Sequence, residues 1–438
     1  MSYQQLSQSR RAMRGSRRVA ALAAVMVAVS LLGIAEAGAQ QNPPVNQPGV
    51  TDKEIRVGGV ATVSNDPTGN TLGTAFDGVK AYFDYINATQ HGMYGRKLVL
   101  SSKRDDAVAN NRQQVQGLIS EDNVFAVLPV ASDLFTGADL LVREGIPTFG
   151  WDIQAEWGSE DNSPGPPNLF GAAGSFINFK DPGPTTYPSV WLAKRLGLKR
   201  VGVIAYNVPQ SIGCAEPIEK AFDKFGTGKV VFSDTSLAFG NADYSVQVAQ
   251  MAEKKVDLVI PCIDANGAFT LGREMKKQGL NAPMILANAY NQDRIERNAN
   301  VADGNYLYTL FTPFESASKP KGLKLYEKWI NRSGGKQTEN SLYGWLNADL
   351  FVTGLKAAGA GFTRQTVVDA INQLKDYDAG GILPGVDWTK AHREGPGCYS
   401  WLKIVNGKFK PVFGQSGKPF LCIRAGAASI PANPEAIG

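Results

Sequence analysis

Val124-Phe-Ala-Val-Leu-Pro129 and Ile146-Pro-Thr-Phe-Gly-Trp151 are short apolar runs, and Leu134 to Glu144 lies between them with the pattern of a helix. Strands with no polar face are covered on both sides, and two strands joined through a helix run parallel. The same unit recurs on either side. Upstream, Ile55 to Val63 and Arg96 to Ser102 read as strands, with helices at Gly73 to Ala88 and Ala109 to Ser120. The first of these helices aligns Ala75, Val79, Tyr82, Phe83 and Ile86 on one face. Downstream, residues 158–168 surround Pro164-Gly165-Pro166-Pro167 and read as a loop, followed by a short extended stretch at 169–179.

The alternation then resumes. Tyr187 to Leu196, Ala215 to Phe225, Ala242 to Lys254 and Ala268 to Gln278 read as helices. Val201 to Tyr206, Val230 to Thr235, Val256 to Cys262 and Pro283 to Asn288 read as strands. A chain of 438 residues exceeds one ordinary core, so two α/β units are expected, each a doubly wound parallel sheet. The pattern changes after residue 320. Lys321 to Asn331, Leu342 to Ala358 and Arg364 to Leu374 read as helices with no strands between them. Cys398 to Val412 then reads as a hairpin turning at Asn406-Gly407. A helical block and a hairpin do not make a third α/β unit. They fit a chain that recrosses, completing the first lobe with helices and the second with strands.

Hydrophobic residues make up 43% of the chain and charged residues 19%, which is globular rather than disordered composition. The net charge of +5 is concentrated at the start: Arg10, Arg11, Arg14, Arg17 and Arg18 precede an apolar run from Val19 to Ala35 and a small-residue site at Ala37-Gly38-Ala39. This is the layout of a cleaved secretory signal over residues 1–39. A retained anchor is the alternative, at the short limit for a membrane span. Ser16-Arg17-Arg18 leaves the twin-arginine route open beside the general one. No cysteine follows the run to carry a lipid, and residues 40–52 read as a flexible lead-in. Without the leader the chain is nearly neutral, which gives no global electrostatic case for nucleic acid.

Cys214, Cys262, Cys398 and Cys422 form no CxxC, and the histidines are two, His91 and His392, both in segments that read as surface loops. That is poor material for a metal site. In an exported chain an even count favours two disulfides, and of three connectivities we expect Cys214–Cys262 and Cys398–Cys422. Cys214 follows the strand at 201–206 and Cys262 ends a neighbouring strand, while Cys398 and Cys422 bracket the hairpin.

Ile55-Arg-Val-Gly58, Gly69, Tyr94-Gly-Arg-Lys-Leu98, Val124 to Ser132, Glu144-Gly-Ile-Pro147, Asp243-Tyr244 and Val256-Asp-Leu-Val259 carry a resemblance. In order and spacing over residues 53–424, the chain resembles the type I periplasmic binding proteins, in particular the branched-chain amino-acid receptor group of ABC importers. The resemblance implies two lobes joined by three crossovers, near 178–183, 311–315 and 384–390. Residues 53–180 and 314–385 would form the first lobe, 181–313 and 386–424 the second, and 425–438 a tail. It also implies a monomeric receptor with no cofactor, whose partners are a small-molecule solute and a membrane permease.

Ligands of open parallel sheets gather at the carboxyl ends of the strands. Those ends put Ser64, Ser132, Trp151, Asp152, Tyr206, Asp264, Asn288 and Tyr290 forward as ligand-binding residues. Ser132 precedes the helix expected at Leu134, where free N–H groups suit a carboxylate, and it reads equally as a helix cap. Trp151, Tyr206 and Tyr290 read either as cleft walls or as core. Amino-acid receptors of this resemblance usually carry an acid where this chain has Asn288, and an asparagine cannot neutralise an ammonium. Asp152 or Asp264 could take that place, or the solute is an amide, urea, or an aromatic or other organic acid. No GxGxxG, Walker A or GxSxG motif is present, and Asp105-Asp106 reads as a solvated pair rather than a glycosidase site. A binding protein is therefore expected, with a sensing module of the same fold or an exported hydrolase as alternatives.

Overall fold

The computed structural model describes residues 43–158, 165–174 and 183–438. The leader read at 1–39 and most of the first crossover lie outside the described residues.

Strands β1 (Glu54–Ala61), β2 (Lys97–Asp105), β3 (Ala126–Ala131), β4 (Thr148–Gly150) and β5 (Leu169–Gly171) form a parallel sheet in the order β2-β1-β3-β4-β5. Helices α1 (Ala75–Gln90), α2 (Asn111–Ser120) and α3 (Ala138–Arg143) connect its first four strands. The sheet is apolar on both faces because both are covered. Ile55 and Val57 of β1 join Val79, Phe83 and Ile86 of α1, whereas Val60 joins Val115, Leu118 and Leu141 beneath α2 and α3.

The second unit runs α4 (Tyr187–Leu196), β6 (Arg200–Tyr206), α5 (Pro209–Phe225), β7 (Lys229–Leu237), α6 (Ser245–Glu253), β8 (Leu258–Cys262) and α7 (Ala265–Gln278), with parallel strand order β7-β6-β8. The strand period of two is visible in β6. Val201, Val203 and Ala205 pack with Trp191, Ile218 and Phe222, and Ile204 and Tyr206 pack with Val248, Met251 and Leu271. The strand expected at Pro283 to Asn288 is reduced to isolated bridges at Met284 and Ile285, and Asn288 turns the chain with a left-handed φ of 50°. After α8 (Gln292–Arg297) and α9 (Ala299–Ala302), the Ile285 bridge reaches β9 (Tyr306–Thr309).

The chain then recrosses. Helices α10 (Lys321–Arg332), α11 (Glu339–Ala358) and α12 (Arg364–Ile371) return to the first sheet, where α11 lies against α1, β3 and β4. Thr338 and Ser341 form a capping box at the start of α11. The crossing of α1 and α11 needs two glycines: a Cβ on Gly78 would meet the Ser341 carbonyl at 1.8 Å, and one on Gly344 would meet the Ala75 carbonyl at 2.0 Å. Last come β10 (Cys398–Val405), β11 (Lys408–Val412), β12 (Phe420–Cys422) and β13 (Glu435–Ile437). β10 pairs antiparallel with β9 and turns into β11 at Asn406-Gly407. The result is the two-lobe α/β fold with doubly wound sheets. Cys214–Cys262 and Cys398–Cys422 are both bonded.

Several local expectations need correction. The described part of the lead-in is tied down: the Gly49 carbonyl accepts from the Arg56 N–H at 2.8 Å, and the Gln47 side chain accepts from the Arg364 N–H at 3.1 Å. The segment after residue 424 contributes β13, which pairs with β12. His392 is not a surface residue. It is buried against Phe170 and Trp388 and hydrogen-bonded to Asn372 at 2.7 Å, and burial pushes its pKa down to about 4. Asp106 is fully buried rather than solvated, accepting from Thr62 at 2.8 Å and Asn111 at 3.0 Å, while Asp105 accepts from the backbone of Val63, Ser64 and Ala107. The pair is used in structure, because the β1 and β2 ends need acceptors there.

Candidate functional site

The carboxyl ends of both parallel sheets open onto one cavity of about 210 Å³. Trp151 and Asp152 follow β4, Tyr206 ends β6, and Asp264 follows β8 as the cap of α7. All four line the cavity, as do Asn288 and Tyr290 beyond the Ile285 bridge. The wall also includes residues that strand-end reasoning missed: Thr68, Asn70, Asp133, Gln210, Glu339 and Tyr343. Asp133 is one position beyond the proposed Ser132. Glu339 and Tyr343 come from the first turns of α11, and nothing local in the sequence signals that this returning helix reaches the cleft. The Cys214–Cys262 disulfide forms part of the wall as well.

Ser64 and Ser132 do not line the cavity. Ser64 is exposed, its backbone N–H held by Asp105 at 3.1 Å. Ser132 is 1% exposed and turned inward; its hydroxyl accepts from Asn111 Nδ2 at 3.0 Å and its carbonyl from Gln154 Nε2 at 2.5 Å. Nor does it cap a helix, because α3 starts only at Ala138. Asn111 explains the inward turn, since its amide also holds Asp106 and accepts from the Gly137 N–H.

The polar groups differ in how they are held. Asp264 accepts from the Tyr206 hydroxyl at 2.5 Å and from the Gly267 N–H at 3.0 Å. Burial pushes its pKa up, against those hydrogen bonds and the nearby Arg294. Burial and the Asp264 carboxylate push the Tyr206 hydroxyl up, so it stays a donor. Tyr290 donates to Glu315 at 2.5 Å and accepts from the Phe314 N–H at 2.7 Å, which fixes its ring against Phe314. Asp133 is 5% exposed, and its Oδ2 has no hydrogen-bond partner. Burial, with the like charges of Asp66, Asp106 and Asp264, pushes its pKa up to about 8. Burial likewise pushes Glu339 up to about 7, although Arg294 opposes the shift.

Much of the remaining wall is apolar and aromatic, including Phe239, Ile260, Ile263, Leu286, Leu307 and Tyr308. Such a surface holds an organic body, and few polar groups orient it. Among the described residues no group of three or more His, Cys, Asp or Glu side chains has the arrangement of a metal site.

A family model described as periplasmic binding protein matches residues 54–408. Solved structures share the fold at low identity. A branched-chain amino-acid ABC transporter protein from Thermus thermophilus with bound valine is 19% identical with a TM-score of 0.67, covering 83% of this chain and 96% of its own. A fatty acid ABC transporter substrate-binding protein from Thermomonospora curvata is 18% identical with a TM-score of 0.68, covering 84% and 94%. A solute-binding protein from R. palustris in complex with benzoate is 16% identical with a TM-score of 0.65, covering 85% and 98%. No curated protein matches.

Proposed function

The chain belongs to the periplasmic binding protein family, and on that premise we propose that it is the exported solute receptor of an ABC importer, closing its two lobes on a small organic solute and handing it to a membrane permease. The observation that carries this reading is a cavity at the carboxyl ends of both sheets, with walls from both lobes. The solute's apolar body packs against Trp151, Tyr206, Phe239 and Tyr343, and its polar head meets the carboxylates, hydroxyls and amides between them. The role is binding without turnover. The acidic pair once eligible for glycoside chemistry, Asp105-Asp106, is occupied by backbone and side-chain donors. The disulfides fit an oxidising compartment outside the cytosol.

Native mass spectrometry of protein purified from its own cells tests the reading. The expected result is a one-to-one complex with a small molecule, which is extracted by denaturation and raises the melting temperature of the stripped protein when added back. At about 100 times its Kd a ligand stabilises by about 2.7 kcal/mol. Protein that carries no small molecule and responds to none would contradict it.

A further inference from the structure

The cavity does not stop at the strand ends. Its charged lining residues, Asp133, Asp152, Asp264 and Glu339, all lie at the cleft, just beyond β3, β4 and β8 or at the start of α11. Another part of its wall lies inside the second lobe. Ser211, Cys214 and Ile218 line it from α5 at i, i+3 and i+7, the spacing of one helix face. From Ser211 to Ile218 that stripe descends about 10 Å along the helix. Opposite it stand Ile260 and Cys262 of β8, with Ile285 and Tyr308 beside them. Ile260 lies two residues below the end of β8, about 7 Å down the strand. Alternation puts Ile260 and Cys262 on one sheet face, and they share a core there with Ile218 of α5, Ile285 and Trp191 of α4.

The cavity is thus a cleft continued by a slot between α5 and one face of the second sheet. Among the described residues no charged side chain lines the slot. The Thr186 hydroxyl beside it is already engaged, donating to the Gly183 carbonyl at 3.0 Å. The Cys214–Cys262 disulfide ties the helix to the strand at the slot's edge, so α5 is held to β8 there by a bond rather than by side chains that fill the gap. Ile218, Ile260 and Ile285 are each 4% exposed, which makes the slot narrow as well as deep. Close-packed cores leave few voids larger than a water molecule, and an apolar void takes apolar matter rather than water. A compact solute held wholly between the lobes would leave this space empty.

Volume bounds what enters. A cavity of about 150 Å³ takes benzene. The 210 Å³ of cleft and slot together therefore takes a chain or single ring of about six carbons with a small head group. Resting on the binding role proposed above, we infer that the solute is an amphiphile whose apolar body passes the aromatic rings of the cleft and ends in a narrow, unbranched tail between α5 and β8, with its polar head left at the strand ends. The receptor then selects by tail length and shape as well as by head group, and Ile218 and Ile260 set the length.

The test is calorimetric titration with two straight-chain series, acetate to dodecanoate and ethylamine to dodecylamine, so that the head group is left open. In whichever series binds, affinity should rise about fourfold per methylene and level off at about six to eight carbons. The six-carbon member, hexanoate or hexylamine, should bind about tenfold tighter than its branched isomer, 2-ethylbutanoate or 2-ethylbutylamine. Ile218→Phe should move the plateau to shorter chains and Ile218→Ala to longer ones. The alanine variant keeps the test standing if the larger side chain prevents folding. Val248→Ala, a comparable loss from the core on the other face of the same sheet, should leave the plateau where it is. Affinity that is flat or falls with chain length, or a preference for the branched isomer, would overturn the tail assignment and leave the receptor role standing. A plateau that Ile218→Ala does not move, or that Val248→Ala moves equally, would overturn the location of the tail. Silence from both series in a protein that carries an extracted molecule of another kind would again overturn the tail assignment alone. Silence together with a purified protein carrying no small molecule would overturn the receptor role itself.

Discussion

The two lobes close their cores by different means. The first is held by a helix that returns from far along the chain: α11 lies on α1 through the Gly78 and Gly344 approach, with Trp345 edge-on to Tyr82 at 4.8 Å. It contains no disulfide. The second is assembled from strands contributed by three separate segments and carries both disulfides, Cys214–Cys262 at the cleft and Cys398–Cys422 across β10 and β12. Close packing tolerates no added atom, whereas a covalent link tolerates local looseness, such as the bridge-only strand at Met284 and Ile285. The same contrast reaches the cleft. Asp264 in the second lobe is fully provided with donors, and Asp133 in the first is left with an unpartnered oxygen.

The sharpest way to break this contrast is Gly78→Val. A side chain there collides with backbone of α11, which neither a rotamer change nor a small shift relieves, so a loss above about 4 kcal/mol and failure to accumulate as soluble protein are expected. Gly279→Ala, in the left-handed cap of α7 with open space around it, should cost only about 1 kcal/mol in chemical denaturation. Near-equal costs would remove the special standing of the helix crossing.

Next in size are the disulfides. Replacing Cys214 and Cys262 together by serine should cost about 4 kcal/mol, and replacing Cys398 and Cys422 about 3, by loop closure over separations of 48 and 24 residues. Only the first pair lines the cavity, so only its loss should also weaken ligand binding. Denaturant melts and calorimetry on the two double variants separate these effects.

The fate of Asp133 tests the electrostatic half of the comparison. Its folded pKa of about 8 lies above the ordinary 3.8, so the folded state holds the proton more tightly. Its stabilising contribution is complete below about pH 4 and is lost as pH rises through about 8. Asp133→Asn should therefore melt higher than the parent by a few kcal/mol at pH 8.5 and match it near pH 4. No such gain is expected from Asp264→Asn, which gives up two charge-assisted hydrogen bonds.

His392 gives the smallest effect and the opposite sign. Its pKa falls to about 4 on burial, so the folded state rejects the proton, and stability present above about pH 6.5 is lost as pH falls toward 4. Between those values His392→Gln should lose about 2 kcal/mol less than the parent in acid melts.

The alternation of strands and helices was legible because each strand is buried on both faces, and the strand ends followed from it: Trp151, Asp152, Tyr206, Asp264, Asn288 and Tyr290 all reach the cavity. What the sequence hid depends on distant packing. Ser132 looked outward-facing until Asn111 proved to claim its hydroxyl, and Glu339 and Tyr343 enter only because α11 recrosses onto α1. His392 looked like a loop residue because its partners, Phe170 and Asn372, are far from it in sequence.

The most direct measurement of the receptor account is small-angle scattering of stripped protein before and after the extracted native small molecule is added back. A smaller radius of gyration with ligand is the expected result, because the solute bridges walls from both lobes. An unchanged profile at saturating ligand would contradict closure of the two lobes on the solute.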